Sequence, residues 1–214
     1  MKFLSILVAL AATSSFAYEP PYDQSNPTYQ WVRYSLDVGG VFTIPTVWPS
    51  NGTDSKPGLG VRLVPAMEYS VSDRFAMRTF VGYEFTTWGY QFQDATGYRE
   101  DVAVKSHFLT LGFAGLFRSN RRQGFFSLGL SGDIPLRSDL VDDVDYGDGT
   151  SDSYNGRFHG DQSALFLDLG FGHQITPGLA FVAGYRFPLV PYYDAVGLTL
   201  NLHQFDVGLR LGIL

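Results

Sequence analysis

Between Gly58 and Thr87 the chain alternates residue by residue between large apolar side chains and small or charged ones, on both sides of the short turn Ser72-Asp73-Arg74. In the first run Leu59, Val61, Leu63, Pro65, Met67, Tyr69 and Val71 share one parity, and Gly60, Arg62, Val64, Ala66, Glu68 and Ser70 share the other. In the second run Phe75, Met77, Thr79, Val81, Tyr83 and Phe85 stand opposite Ala76, Arg78, Phe80, Gly82, Glu84 and Thr86. A sustained period of two predicts paired β-strands with two chemically distinct faces. The wet face of a soluble strand is normally filled with long solvated side chains. Here isolated Arg and Glu sit among Gly, Ala and Ser, which suits a narrow enclosed interior, while the other face is apolar enough to meet lipid.

Six further segments carry the same pattern: about Gln30 to Thr43, Ser106 to Phe117, Gly124 to Leu136, Gln162 to Ile175, Leu179 to Leu189 and Leu200 to Leu214. In the last, Phe205, Val207, Leu209, Leu211 and Ile213 point outward against Asp206, Gly208, Arg210 and Gly212. The connections alternate long and short, at roughly 44–57, 72–74, 88–105, 118–123, 137–161, 176–178 and 190–199. Eight strands with this rhythm predict an all-β fold, a closed antiparallel transmembrane barrel in an up-and-down meander. Its short turns and both termini face the periplasm, and its long loops face outside. A ten-strand barrel stays open if the 88–105 or 137–161 loop hides a hairpin. Tyr29 and Trp31 at one end, and Trp88, Tyr90, Tyr192 and Tyr193 at the other, read as interfacial aromatic girdles.

The start of the chain places it in the envelope. Lys2, the apolar stretch Phe3 to Ala12 and the small-x-small site Ser15-Phe16-Ala17 form a secretory signal over residues 1–17. Its apolar run is too short to span a bilayer as a helix, which takes about 20 residues. Residues 18–29, with Pro20, Pro21 and Pro27, read as an irregular leader, and residues 30–214 as the barrel. The chain has no Cys, which excludes both a lipid-modified cysteine and a disulfide. Loss of the signal leaves fourteen basic against twenty-one acidic residues, a balance that argues against nucleic acid as a partner. Lys occurs only at positions 2, 56 and 105, against twelve Arg, the cation favoured where charge is paired in confined space.

With the signal, alternation, loop rhythm and terminal strand in place, residues 30–214 resemble the small outer-membrane β-barrel proteins of the OmpA transmembrane-domain and OmpX type. In that superfamily the last strand commonly ends in an aromatic residue, whereas this chain ends Leu211-Gly212-Ile213-Leu214. The resemblance implies a bacterial outer-membrane location. It also implies lipid and lipopolysaccharide around the barrel, the outer-membrane assembly machinery as a partner during biogenesis, and a monomeric state.

Parity assigns Arg33, Arg62, Arg78, Arg186 and Arg210 to the interior together with Asp37, Glu68, Glu84, Asp133, Asp168 and Asp206. An eight-stranded interior is just wide enough for side chains, so this near-balance predicts a structural ion-pair network, with a narrow ion path as the alternative. Arg62 with Glu84, and Arg78 with Glu68, fall opposite one another on adjacent strands. The 137–161 loop holds seven Asp and two Arg and reads as a solvated acidic loop. Within it, Asp143-Val144-Asp145-Tyr146-Gly147 matches only the start of a calcium-binding spacing. His159-x-Asp161-x-Ser163 could bring a base, an acid and a nucleophile near the outer rim, so a lipid A-modifying enzyme is the rival reading. Asn201 and His203 share a face but lack a nucleophile. No Gly-rich phosphate loop or Cys/His constellation occurs, so no cofactor, no metal and no catalytic residue is expected.

Overall fold

The computed structural model describes residues 32–48, 52–119, 123–157, 162–176, 178–195 and 198–213. The segments 1–17 and 18–29, together with Tyr29, Trp31, His159 and Asp161, lie outside the described residues. The strands in chain order are β1 (Val32–Trp48), β2 (Thr53–Lys56), β3 (Gly58–Ser70), β4 (Phe75–Gln93), β5 (Arg99–Arg118), β6 (Gly124–Asp145), β7 (Ser151–Arg157), β8 (Ala164–Thr176), β9 (Leu179–Pro188), β10 (Tyr193–Ala195) and β11 (Leu198–Ile213). Eight of them, β1, β3, β4, β5, β6, β8, β9 and β11, pair in that order, and β11 pairs back on β1. The sheet is therefore a closed, antiparallel, up-and-down barrel of eight strands.

The seam closes tightly because Gly39 and Gly208 face each other across β1 and β11. A Cβ on Gly39 would lie 2.7 Å from the Val207 carbonyl oxygen, and one on Gly208 would lie 2.4 Å from that of Val38. Outside the ring the residues of apolar parity are exposed on every side, among them Leu59 at 68%, Val61, Phe113, Phe171 and Val207. A water-soluble monomer rarely shows a continuous apolar patch beyond a few hundred Å².

Both long connections are strands for most of their length. β4 runs on to Gln93 and β5 begins at Arg99, so 88–105 is a tall hairpin. Its tip is set by Asp94, whose Oδ1 accepts the Thr96 and Tyr98 amide hydrogens at 2.8 and 3.1 Å, and by Gly97 at φ 93°. β6 runs on to Asp145 and returns as β7, paired to β6 only. Neither hairpin enters the ring, which corrects the ten-strand alternative, and the solvated acidic loop is a paired hairpin. Asp143 and Asp145 face Ser153 and Ser151 across extended strands, not in the curled loop that a calcium spacing needs.

A bulge decides which way this hairpin faces. β6 pairs Pro135 with Phe108 but Arg137 with His107, so Leu136 is an extra residue. Pro135 has no N–H for the ladder, and a bulge is where a strand accommodates that loss. Above it the parity of β6 reverses: Ser138, Leu140 and Asp142 continue the lumen side, and Asp139 and Asp143 turn outward.

Candidate functional site

The interior is organised in tiers, starting at the end with the short turns. There Asp37 on β1 accepts hydrogen bonds from Arg78 Nη2 at 2.7 Å and from Arg210 Nε and Nη2 at 2.9 and 3.1 Å. Glu68 accepts from Arg210 Nη1 at 2.9 Å and lies 3.7 Å from Arg78 and 3.6 Å from Arg118. The Arg210 guanidinium rests over the Phe125 ring at 4.8 Å. Bidentate contacts of this kind suit the planar fork of Arg and would be lost with Lys.

The upper tier is built around Arg186 on β9, which is 2% exposed. Its Nη1 donates to Glu84 Oε2 and Asp133 Oδ2, both at 3.1 Å, and also to Gln204 Oε1. Its Nη2 donates to Asp133 Oδ1 at 2.8 Å, and its Nε lies 3.3 Å from Asp168 Oδ1. The face of the guanidinium stacks on Phe166 at 4.2 Å. The carboxylates are themselves held: Gln204 Nε2 donates to Glu84 at 2.6 Å, Thr110 to Asp133 at 2.7 Å and Ser131 to Asp168 at 2.9 Å. A buried charge is tolerated only in such a saturated network.

Arg62 lies between the tiers, 3.8 Å from Glu84 and 3.7 Å from Asp206. Beside it is a cavity of about 80 Å³ whose wall includes Arg62, Arg78, Asp206 and Gly208. The Nε atoms of Arg62 and Arg78 are buried without a hydrogen-bond partner among the described side chains. This is the polarity and size that buried water fills.

The mouth above Arg186 is covered from inside. Tyr192, on the connection after β9, is buried against Trp88 and Phe108, with ring centroids 5.6 Å away in both pairs and nearly perpendicular planes. Its hydroxyl lies 3.0 Å from Ser138 Oγ, and Trp88 Nε1 donates to Ser106 Oγ at 3.3 Å, so the polar tips are satisfied within an apolar cap. Val102, Val104, Leu200 and Leu202 complete it.

Among the sequence-assigned residues, Asp37, Arg62, Glu68, Arg78, Glu84, Asp133, Asp168, Arg186, Asp206 and Arg210 all face this interior. Arg33 keeps the same parity opposite Glu68 at the short-turn rim, where its side chain is exposed. The girdle reading of Trp88, Tyr90, Tyr192 and Tyr193 is corrected. Trp88 and Tyr90 continue the inward parity of Glu84 and Thr86, Tyr192 turns down into the mouth, and Tyr90 and Tyr193 pack against the cap. Sequence reasoning missed Arg118 and Gln204, although each keeps the inward parity of its strand. Ser163 is exposed, and its two proposed partners lie outside the described residues. His203 packs outside the ring, where Tyr185 Oη lies 2.7 Å from its Nδ1.

The lumen-side parity continues above the cap onto the tall hairpins. Here Tyr98 Oη lies 3.4 Å from Glu100 Oε2. Burial, and then the neighbouring Asp142 charge, pushes the Glu100 carboxyl above its usual range. Burial likewise raises Asp142, helped by Asp143 and Asp101.

No family model and no curated protein matches the chain. Among solved structures it is similar to Ail, the attachment invasion locus protein of Yersinia pestis, at 14% identity over 84% of this chain and 98% of that one, with a TM-score of 0.42. It is similar to Neisserial surface protein A at 14% identity, over 83% and 96% of the two chains, with a TM-score of 0.39. It is also similar to the outer-membrane protease OmpT of Escherichia coli, at 9% identity over 88% and 98%, with a TM-score of 0.40. Likenesses at this level say nothing of activity or partner, and the eight-stranded ring rests on its own strand pairing.

Proposed function

We propose that this chain is an integral protein of the bacterial outer membrane whose barrel is closed to ions and which acts in envelope structure or surface interaction, without an enzymatic activity of its own. The apolar belt around the ring supports the membrane reading, since it offers lipid a surface that water would not tolerate. Both termini and the short turns lie on the periplasmic side, and the tall hairpins β4–β5 and β6–β7 stand outside the cell. Lipid and lipopolysaccharide surround the protein, the outer-membrane assembly machinery handles it during biogenesis, and it is a monomer.

One observation carries the closed reading: Arg186 reaches from β9 across the lumen to Glu84 and Asp133, and pairs with the neighbouring Asp168, directly beneath the Tyr192 cap. An ion would have to break both barriers. The test is reconstitution of the mature protein in planar bilayers, where no steady conductance is expected; regular current steps would replace the plug with a pore. Extraction only by detergent, with different gel mobility before and after heating, is the expected membrane behaviour. Recovery as a monodisperse protein in plain buffer would end that reading. The lipid A mass profile of the host is expected to be the same with His159→Ala or Ser163→Ala as with the parent. A mass shift produced by the parent and lost in either variant would make the enzyme correct.

A further inference from the structure

The two faces of the sheet that rises above the barrel differ in charge. On the outward face Lys56 pairs with Asp101, Arg99 lies 3.8 Å from the same carboxylate, and Arg137 donates to Asp139 at 2.9 Å. Lys105 and Arg157 also have outward parity. The inward face, which overlooks the barrel mouth, holds carboxylates and aromatic rings, and among the described residues no Lys or Arg.

Glu100 and Asp142 are diagonal neighbours on β5 and β6, since Glu100 faces Val144 and Asp142 faces Val102. Among the described residues neither carboxylate is within ion-pair distance of a cation, and Asp142 Oδ1 is buried without a hydrogen-bond partner. Aromatic rings surround them. Tyr98 packs on Phe92 at 6.1 Å and on Tyr146 at 6.2 Å, and Tyr146 donates to Asp152 at 3.1 Å on β7. Tyr154, level with Asp142, is exposed on the same face.

From this segregation of charge we propose that the inward face of the β4–β7 sheet is a docking surface for a cationic polypeptide segment rich in Lys and Arg. The inference rests on the reading of the tall hairpins as extracellular and interactive. A guanidinium or ammonium set between Tyr rings gains both from the ring faces and from the adjoining carboxylate. It would also relieve the repulsion between Glu100 and Asp142. From β4 to β7 the face spans three strand spacings, roughly 14 Å. That breadth takes several side chains of one segment, more than a single small amine could fill.

The experiment uses the mature protein in detergent micelles and a fluorescent peptide of alternating lysine and serine, with an alternating glutamate and serine peptide as control. Saturable binding of the lysine peptide alone is expected, weakening as salt is raised. The double variant Glu100→Gln with Asp142→Asn should weaken it about tenfold, and Tyr98→Ala by a smaller factor. Asp143→Asn with Asp145→Asn removes the same charge from the opposite face and should leave affinity within about twofold. Equal losses from the two double variants would reduce the effect to net charge and overturn the proposal. Calcium chloride binding at Glu100 and Asp142 with no peptide binding would overturn it as well. Gel mobility before and after heating, measured on each variant, shows that the barrel is intact. A closed barrel that ignores the peptide refutes the docking surface alone, whereas steady bilayer conductance with intact peptide binding refutes the closed barrel alone.

Discussion

The same three strands, β4, β5 and β6, carry acidic residues on one continuous face at two heights, and the two heights treat them differently. Inside the ring Glu84 and Asp133 share the Arg186 guanidinium and are capped by Gln204 and Thr110. Above the cap Glu100 has the Tyr98 hydroxyl, and Asp142 stands beside it with one oxygen unpartnered among the described residues. The dividing layer is Trp88, Phe108 and Tyr192. Below it a lone charge would cost several kcal/mol, so every carboxylate is answered by an arginine; above it solvent screens repulsion and like charges can stand together.

The sharpest way to break this comparison is to remove the central cation. Arg186→Leu leaves Glu84, Asp133 and Asp168 without their shared guanidinium and should destabilise the barrel by about 4 kcal/mol, read as an earlier loss of the unheated gel band in urea. Replacing Arg186, Glu84 and Asp133 jointly by apolar residues should recover most of that. A small, additive loss would mean that the upper tier is hydrated. Removing the divider comes next: Trp88→Ala should cost about 3 kcal/mol and speed amide hydrogen exchange at the level of Thr86 and Phe108. Unchanged exchange there would show that the cap does not separate the regions. In the lower tier Arg210→Met should cost only about 2 kcal/mol, because Asp37 keeps Arg78 at 2.7 Å and Glu68 keeps Arg118 at 3.6 Å. A loss as large as that of Arg186 would make the two tiers equivalent.

The smallest effect belongs to the upper face, where Glu100→Gln should change stability by less than about 0.5 kcal/mol at neutral pH. Its pH dependence is the more informative measurement. A carboxyl raised above its ordinary 4.5 holds its proton in the folded state at pH values where the unfolded chain has lost it. Local stability is therefore highest below 4.5 and falls as pH rises from there through the raised value. Amide exchange in the outer parts of β5 and β6, corrected for its intrinsic pH dependence, should slow on acidification from pH 7 to about 4.5. It should do so less in Glu100→Gln with Asp142→Asn, and faster exchange on acidification would reverse the assignment.

Much of this was readable along the chain. The period of two put Arg62, Glu84, Arg186 and Asp133 on the inner face, because in a strand parity alone fixes the face. The same rule would have placed Trp88 and Tyr90 inside, had it been followed past Thr86. It also marks Gln204, which carries no charge, and Arg118, which lies one residue beyond the apolar segment that ends at Phe117. The outer lengths of β5 and β6 were hidden because charged runs such as Arg99-Glu100-Asp101 and Asp142-Asp143 read as loop when a strand leaves the apolar layer.

Local alternation fixes the strands of the ring, the apolar exterior and the set of charges inside. Which of those charges meet is set by closure of the ring. The adjacent pair Arg62 and Glu84 holds the expected register, yet its atoms stay 3.8 Å apart while Arg186 reaches Glu84 at 3.1 Å from β9 across the lumen. The extra Leu136 likewise turned Asp142 inward and Asp143 outward. Parity is a local property of an extended backbone, whereas a contact across a closed ring and a bulge that reverses parity depend on curvature and partner strands that no single segment contains.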